Sequence, residues 1–191
     1  VSSIDPHQLS ADHDHARFPQ TKVVSRVRYR HDQRGYTGNM FRHVFVVDAA
    51  SGDARQLTEG EGDNLSPTWS PDGNSIAYVS DDIPGRDFTT NTQVKVVTLS
   101  SGESLSWSPD LPFVWAVSWS PDGKSLAAIG RHDPEMWDPR SAWIYVLKTG
   151  EAARRITDGL YTPVLDCGLR WTDDGRIVFV GAHRGEYFLC T

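Results

Sequence analysis

A five-residue motif, Trp-Ser-Pro-Asp-Gly, recurs along this 191-residue chain and constrains its fold more than any other feature. It stands at residues 69–73 and 119–123, and a degenerate copy, Trp-Thr-Asp-Asp-Gly, stands at 171–175. The tryptophans are 50 and 52 residues apart, and such a fixed period indicates an array of equivalent units. Proline, aspartate and glycine together favour a tight turn, and β-forming apolar residues follow each copy. We therefore predict a β-hairpin at each motif.

We interpret the motif residues as structural. The tryptophans would suit a ligand-stacking platform, but their equivalent place in every unit favours packing between units. The aspartates would suit acid–base catalysis, but one per turn is explained by hydrogen bonding within the turn. The residues assigned to this structural repeat are Trp69, Pro71, Asp72, Gly73, Trp119, Pro121, Asp122, Gly123, Trp171, Asp174 and Gly175. We expect no catalytic, cofactor-binding or metal-binding residue in this chain.

A second set of turns has the same period. Ser-Gly at 51–52 and 101–102 and Thr-Gly at 149–150 each follow an apolar stretch and precede a short β segment. One period therefore holds four strands joined by hairpins, which is the pattern of a β-propeller blade. We predict an all-β fold, a partial β-propeller of four-stranded antiparallel blades, with about two full blades and two partial ones.

The domain organisation follows from these turns. A polar N-terminal arm occupies residues 1–21, and the partial propeller occupies 22–191. The expected blades span approximately 22–60, 65–108, 113–158 and 166–191. The first has no motif of its own, and the last stops early in its third strand. We therefore expect the chain to be a piece of a longer protein.

The sequence Trp-Ser-Pro-Asp at 107–110 resembles the motif but breaks its period. Leu111 replaces the glycine, and the next copy begins 12 residues later. We assign this stretch to the connection between two blades, and we expect Trp107 to matter much less for stability than Trp119.

Composition excludes several classes of function. The net charge is −6 with no basic face, which disfavours nucleic-acid binding. No apolar run approaches the length of about 20 residues that a membrane helix needs. The N-terminus does not resemble a signal peptide, and we expect a cytoplasmic protein. The two cysteines, Cys167 and Cys190, do not form a disulfide framework, and we expect buried thiols.

Other charged groups could carry a function, but a simpler role is favoured for each. The groups in question are the arm histidines His7, His13 and His15; the rim residues His132, Asp133 and His183; the acidic loop residues Glu59, Glu61 and Asp63; and Arg26, Arg28 and Arg30. The histidines could hold a metal, the acidic loop could meet a cationic peptide N-terminus, and the arginines could bind an anion. Solvated loops, and ion pairs between the arginines and neighbouring carboxylates, are the interpretation we favour.

The repeats, with further sequence around them, resemble the N-terminal propeller of the prolyl oligopeptidase family, in particular its acylaminoacyl-peptidase-like members. The resemblance spans roughly residues 22–180 and is carried by 24–30, 42–48, 55–60 and 66–81. It implies a serine peptidase in which the propeller caps a C-terminal α/β-hydrolase domain and admits only short peptides. The catalytic triad would belong to that second domain. No Gly-x-Ser-x-Gly nucleophile elbow occurs here, so this chain alone is expected to have no activity and no cofactor.

Two other classes stay open. The hairpin motif also resembles the repeat of the Tol-system propeller protein, which would make the chain a non-enzymatic module for protein–protein interaction. A propeller lyase that acts on uronates is the third class, but such enzymes need several inward histidines, and the histidines here do not share one repeat register. If the blades cannot close a ring, apolar blade faces stay exposed, and we expect the chain to form a homodimer.

Overall fold

The computed structural model describes residues 23–31, 35–133, 142–157, 162–163 and 167–191. Within these ranges the chain consists of β-strands, loops and short 3-10 turns, among them the three-residue helix Arg86–Phe88. The whole of the predicted N-terminal arm, with its three histidines, lies outside the described residues. None of the helices in the described residues is long and apolar enough to cross a membrane.

Two short hairpins come first. Strand β1 (Arg30–His31) pairs with β2 (Gly35–Tyr36), and β3 (Phe45–Val47) pairs with β4 (Ala54–Gln56). The second hairpin has the turn geometry of the later blades, since Gly52 adopts a φ of +80°. We call β3 and β4 blade 1; among the described residues they form a two-stranded sheet.

Two complete blades come next. Blade 2 contains β5 (Asn64–Trp69), β6 (Ser75–Ser80), β7 (Gln93–Thr98) and β8 (Ser104–Ser106), antiparallel and in sequence order. Blade 3 repeats this order with β9 (Phe113–Trp119), β10 (Leu126–Arg131), β11 (Trp143–Leu147) and β12 (Arg154–Arg155).

Blade 4 is partial. Its strands are β13 (Thr162–Pro163), β14 (Leu169–Trp171), β15 (Ile177–His183) and β16 (Glu186–Cys190). Strand β16 pairs with one edge of β15, while β13 and β14 pair with successive parts of the other edge. The two short strands are therefore two pieces of one innermost strand. The predicted partial propeller, with two full and two partial blades, is confirmed.

The core lies between the blades because the second strand of each full blade is buried on both faces. In β10, Leu126 and Ala128 pack toward blade 2, while Ala127 and Ile129 pack toward blade 4. All four side chains are fully buried. A strand enclosed on both faces reads as a continuous apolar run rather than an alternating one, which is why the sequence after each turn lacks alternation.

Candidate functional site

The repeated turn is held by a hydroxyl and a carboxylate that contact each other. In its first copy, Ser70 Oγ donates to Asp72 Oδ1 at 2.6 Å and accepts from the backbone N of Ser75 at 2.9 Å. Asp72 Oδ1 also accepts from the backbone N of Asn74 at 3.0 Å. Gly73 takes the positive φ, +72°, that the turn requires. The motif therefore satisfies its own polar groups.

The other two copies use the same contacts. Ser120 Oγ donates to Asp122 Oδ1 at 2.6 Å, and Thr172 takes the place of serine against Asp174. The serine hydroxyl holds the pKa of Asp122 below its usual value, as it does for Asp72. The pKa of Asp174 falls to about 2, chiefly because the Arg176 side chain donates to it and also because Thr172 does. The three carboxylates are turn acceptors and are ionised at neutral pH.

The tryptophan at the start of the motif packs between blades in two of the three copies. Trp119 is 8% exposed, and its indole Nε1 donates to the backbone oxygen of Thr68 in the preceding blade at 3.1 Å. Trp171 lies half-buried, and its backbone N donates to Ser118 Oγ of blade 3 at 3.2 Å. Trp69 departs from the expectation, since it is 51% exposed.

The exposure of Trp69 has a simple physical reason. The partner of Trp119 is the innermost strand of the preceding blade. Blade 1, which precedes Trp69, has only its two outer strands within the described residues. The neighbour that would cover this indole is therefore missing from the part of the chain that the structure describes.

The structure also contains a second repeated contact, which involves no residue of the Trp-Ser-Pro-Asp-Gly motif. In blades 1 to 3, a side-chain hydroxyl just after the fourth strand accepts a hydrogen bond from a backbone N–H at the start of the third strand. Thr58 Oγ1 accepts from Val44 N at 2.9 Å, and Ser108 Oγ accepts from Val94 N at 2.8 Å. Thr157 makes the same bond, at 3.0 Å, in blade 3. The sequence signal is a serine or threonine that follows an apolar residue near the end of each blade.

This repeat explains the stretch at 107–110. Trp107 lies in a connection, as predicted, but its ring meets that of Trp119 edge-on at 5.2 Å and packs against the core. Asp110 Oδ2 accepts from the backbone N of Ala153 in blade 3 at 2.9 Å. These contacts predict a larger contribution of Trp107 to stability than its place in a connection suggests, because the connection closes the interface between blades.

The innermost strands β5, β9 and β14 lie side by side, and we call them the inner wall. Blades surround a central channel in this fold, so the wall faces that channel. A cavity of about 190 Å³ lies along it, lined by Ser66, Pro67 and Cys167, among other residues. Cys167 is exposed, so the expectation of two buried thiols is wrong for this residue; both cysteines are free. Trp115 of β9 is 43% exposed.

A larger groove, of about 560 Å³, separates blades 2 and 3 beside their turns. Pro71 and Asp72 line one side and Pro121 and Asp122 the other, with Trp107 between them. The groove combines apolar rings with two ionised carboxylates. Nothing in the structure identifies a molecule that would occupy it.

The histidines form no shared site in the part of the chain that the structure describes. The ring of His132 packs edge-on against Tyr145 at 5.3 Å, and His43 Nδ1 lies 3.3 Å from Thr58 Oγ1. His183 lies at the end of β15, on another blade. Within the described ranges, no three His, Cys, Asp or Glu side chains come together in a way that could hold a metal ion.

The chain is similar to two curated proteins. An uncharacterized peptidase of Bacillus subtilis, YuxL, is 27% identical over 193 residues, which include 98% of this chain. The Tol-Pal system protein TolB of Alcanivorax borkumensis is 32% identical over 97 residues, or 47% of this chain. The chain spans 24% of the first protein's length, and the second match covers 21% of TolB. No protein-family model matches the chain.

Solved structures share the propeller fold. TolB from Acinetobacter baumannii superposes with a TM-score of 0.59 at 24% identity, over 77% of this chain and 34% of that one. An oligogalacturonate lyase in complex with manganese gives 0.54 at 16% identity, over 76% and 39%. A prolyl endopeptidase gives 0.51 at 17% identity, over 75% and 22%. At these identities the likeness shows the fold alone.

Proposed function

We propose that this chain is the non-catalytic propeller portion of a serine peptidase of the prolyl oligopeptidase family, of the acylaminoacyl-peptidase type. The observation that carries the proposal is the similarity to a peptidase along 98% of the chain. That peptidase is about four times as long as the matched region, which leaves room for a separate catalytic domain. The fold is also that of a prolyl endopeptidase over three-quarters of this chain.

In this role the chain would line the channel through which a substrate enters. The inner wall at Ser66, Pro67 and Trp115 would face the route of an entering peptide, and the rigid blades would exclude folded proteins. The motif aspartates are occupied by their turns, so the chemistry would belong to a C-terminal α/β-hydrolase domain that the propeller caps. The substrates would be short peptides. We place the protein in the cytoplasm, where the free thiols of Cys167 and Cys190 would stay reduced.

The test compares the 191-residue chain with the whole gene product that contains it. The whole product should release a chromophore from an acetyl-aminoacyl substrate, and a serine-directed inhibitor should abolish the release. The 191-residue chain should release none. Inhibitor-sensitive turnover by the short chain, or none by the whole product, would contradict the proposal.

A TolB-like module for protein–protein interaction is the second candidate. The observation that favours it is the 32% identity over 97 residues. The two candidates differ in the coding sequence that they expect downstream of the codon for Thr191. A Gly-x-Ser-x-Gly segment a few hundred residues downstream supports the peptidase, and its absence supports the interaction module.

A further inference from the structure

The segment at residues 23–30 lies on the propeller with the side chains of Arg26 and Arg28 turned toward it. The sequence alternates, and either face could have been buried. In the structure the side chain of Arg26 is 19% exposed, whereas Val23 is 92% exposed and Val27 is 58% exposed. An apolar-inward strand would be held by the hydrophobic effect, so this segment must be held by other forces.

Arg26 contacts two carboxylates and an aromatic ring. Its Nε lies 3.2 Å from Asp87 Oδ2, and its Nη1 lies 3.3 Å from Glu61 Oε2. Its guanidinium also lies over the ring of Phe41, 5.0 Å from the centroid. Arg86 approaches the same ring at 5.1 Å, so Phe41 contacts a guanidinium from each of two distant segments.

Arg28 also binds the segment at 23–30 to the connection that follows β6. Its Nη1 donates to Asp81 Oδ2 at 3.1 Å, and its Nη2 donates to the backbone oxygen of Thr89. Asp81 also accepts from Arg86 Nη2 at 2.9 Å and from the backbone N of Asp63 at 2.7 Å. Asp81 thus joins the segment at 23–30, the connection between β6 and β7 and the acidic loop at 59–63.

These contacts are electrostatic and only partly buried. The paired side chains of Arg28 and Asp81 are 35% and 14% exposed. Salt weakens interactions between solvent-accessible charges, because the screening length falls from about 10 Å at 0.1 M to about 3 Å at 1 M. The blades, in contrast, are held by backbone ladders and apolar burial, which salt does not weaken in this way.

We propose that residues 23–31 form an electrostatic strap that holds the connection at 81–92 closed against Phe41. Raised salt, or the loss of one carboxylate, releases the strap while the blades stay folded. Release also frees Asp87 and Thr89 of the connection from their bonds to the strap. The connection between the second and third strands of blade 2 can then move relative to the blade. This proposal does not depend on whether the whole protein is a peptidase.

Trypsin cleavage tests the strap directly, because trypsin must engage the arginine side chains that the ion pairs occupy. The rate of cleavage after Arg26 and Arg28 is followed by mass spectrometry on the 191-residue chain. Cleavage after Lys95, within β7, reports opening of the blade in the same sample. A small chromogenic substrate corrects for the effect of salt on trypsin itself.

The expected result is selective release. Asp81→Asn and Asp87→Asn should each raise cleavage after Arg26 and Arg28 by about three- to tenfold, while cleavage after Lys95 stays constant, because charge-assisted hydrogen bonds are the strong ones here. The wild-type chain in 1 M sodium chloride should behave like these variants. Glu103→Gln removes the same charge from an exposed turn and should change neither rate.

Two outcomes would overturn the proposal. One is equal cleavage after Arg26 in the wild-type chain and in both aspartate variants, which would mean that the ion pairs hold nothing. The other is a parallel rise after Lys95, which would mean that the segment opens only with the blade. A third variant, Arg28→Met, alters no residue of blade 2. The rate of trypsin cleavage after Arg26 should rise in this variant as it does in the aspartate variants, and an unchanged rate would count against the strap.

Discussion

The indole Nε1 of Trp119 donates a 3.1 Å hydrogen bond to the backbone oxygen of Thr68, across the boundary between blades 2 and 3. One residue, the first of the repeated motif, therefore joins a turn to the innermost strand of the neighbouring blade. A partly buried carbonyl that loses its donor is costly, so the hydrogen bond helps to fix the distance between the two blades.

The three tryptophan environments predict three different mutational costs. Trp119→Ala should destabilise the chain by about 3–5 kcal/mol, as large core aromatics do. Trp107→Ala should cost roughly half as much, because its ring is only partly buried against Trp119. Trp69→Ala should cost about 1 kcal/mol or less, since half of that side chain is exposed. Urea unfolding gives the three values, and equal losses at Trp69 and Trp119 would refute the assigned interface.

The hydroxyl repeat predicts a cost for a one-atom deletion. Ser108→Ala removes the acceptor of the buried Val94 N–H and should cost about 1–3 kcal/mol. Ser106→Ala, two residues earlier on the exposed strand β8, is the matched control and should be within about 0.5 kcal/mol of wild type. The denaturant midpoints of the two variants, measured side by side, give these free energies of unfolding. A Ser108→Ala variant as stable as wild type would show that this hydroxyl does not stabilise the blade.

Sequence alone predicts the blades and their turns but not every contact between them. The period of Trp69 and Trp119 depends on local turn chemistry, which the residues themselves dictate. The exposure of Trp69 depends on a neighbouring strand, and no pattern around Trp69 encodes that neighbour. Similarly, alternation at 23–30 predicts two faces but not which one is buried, because the carboxylates that attract Arg26 and Arg28 lie more than 30 residues away in the sequence.

The turn aspartates predict a defined response to acid. The folded-state pKa of Asp174 is about 2, below its usual value of 3.8. The carboxylate therefore contributes stability above pH 4, and this contribution is lost as the pH falls from 4 toward 2. Asp174→Asn should lower the melting temperature at pH 6, and most of this difference should be gone near pH 2, where the carboxylate is half protonated.

Asp173→Asn is the control for that experiment, because it removes the same charge from the adjacent, exposed position in the turn. It should leave the melting temperature at pH 6 close to that of the wild-type chain. A difference between wild type and Asp174→Asn that persists undiminished at pH 2 would show that the carboxylate acts through its shape rather than its charge.

The outer strand of blade 4 predicts self-association of the chain. Strand β16 pairs with β15, and its side chains Tyr187 and Leu189 are 74% and 75% exposed. Exposed apolar strands recruit partners, so we expect a dimer at micromolar concentration by light scattering. Leu189→Lys should shift the chain to monomer, whereas Leu105→Lys, on the exposed strand β8 of blade 2, should not. A wild-type monomer would contradict this prediction.

The most direct test of the central claim labels the whole gene product with a serine-directed fluorophosphonate probe and maps the modified residue. The account predicts a single labelled serine outside residues 1–191, whose labelling an acetyl-aminoacyl substrate slows by competition. A label on any serine within residues 1–191, or a gene product that takes up no label and hydrolyses no acetyl-aminoacyl substrate, would contradict the assignment of this chain as the non-catalytic propeller of a serine peptidase.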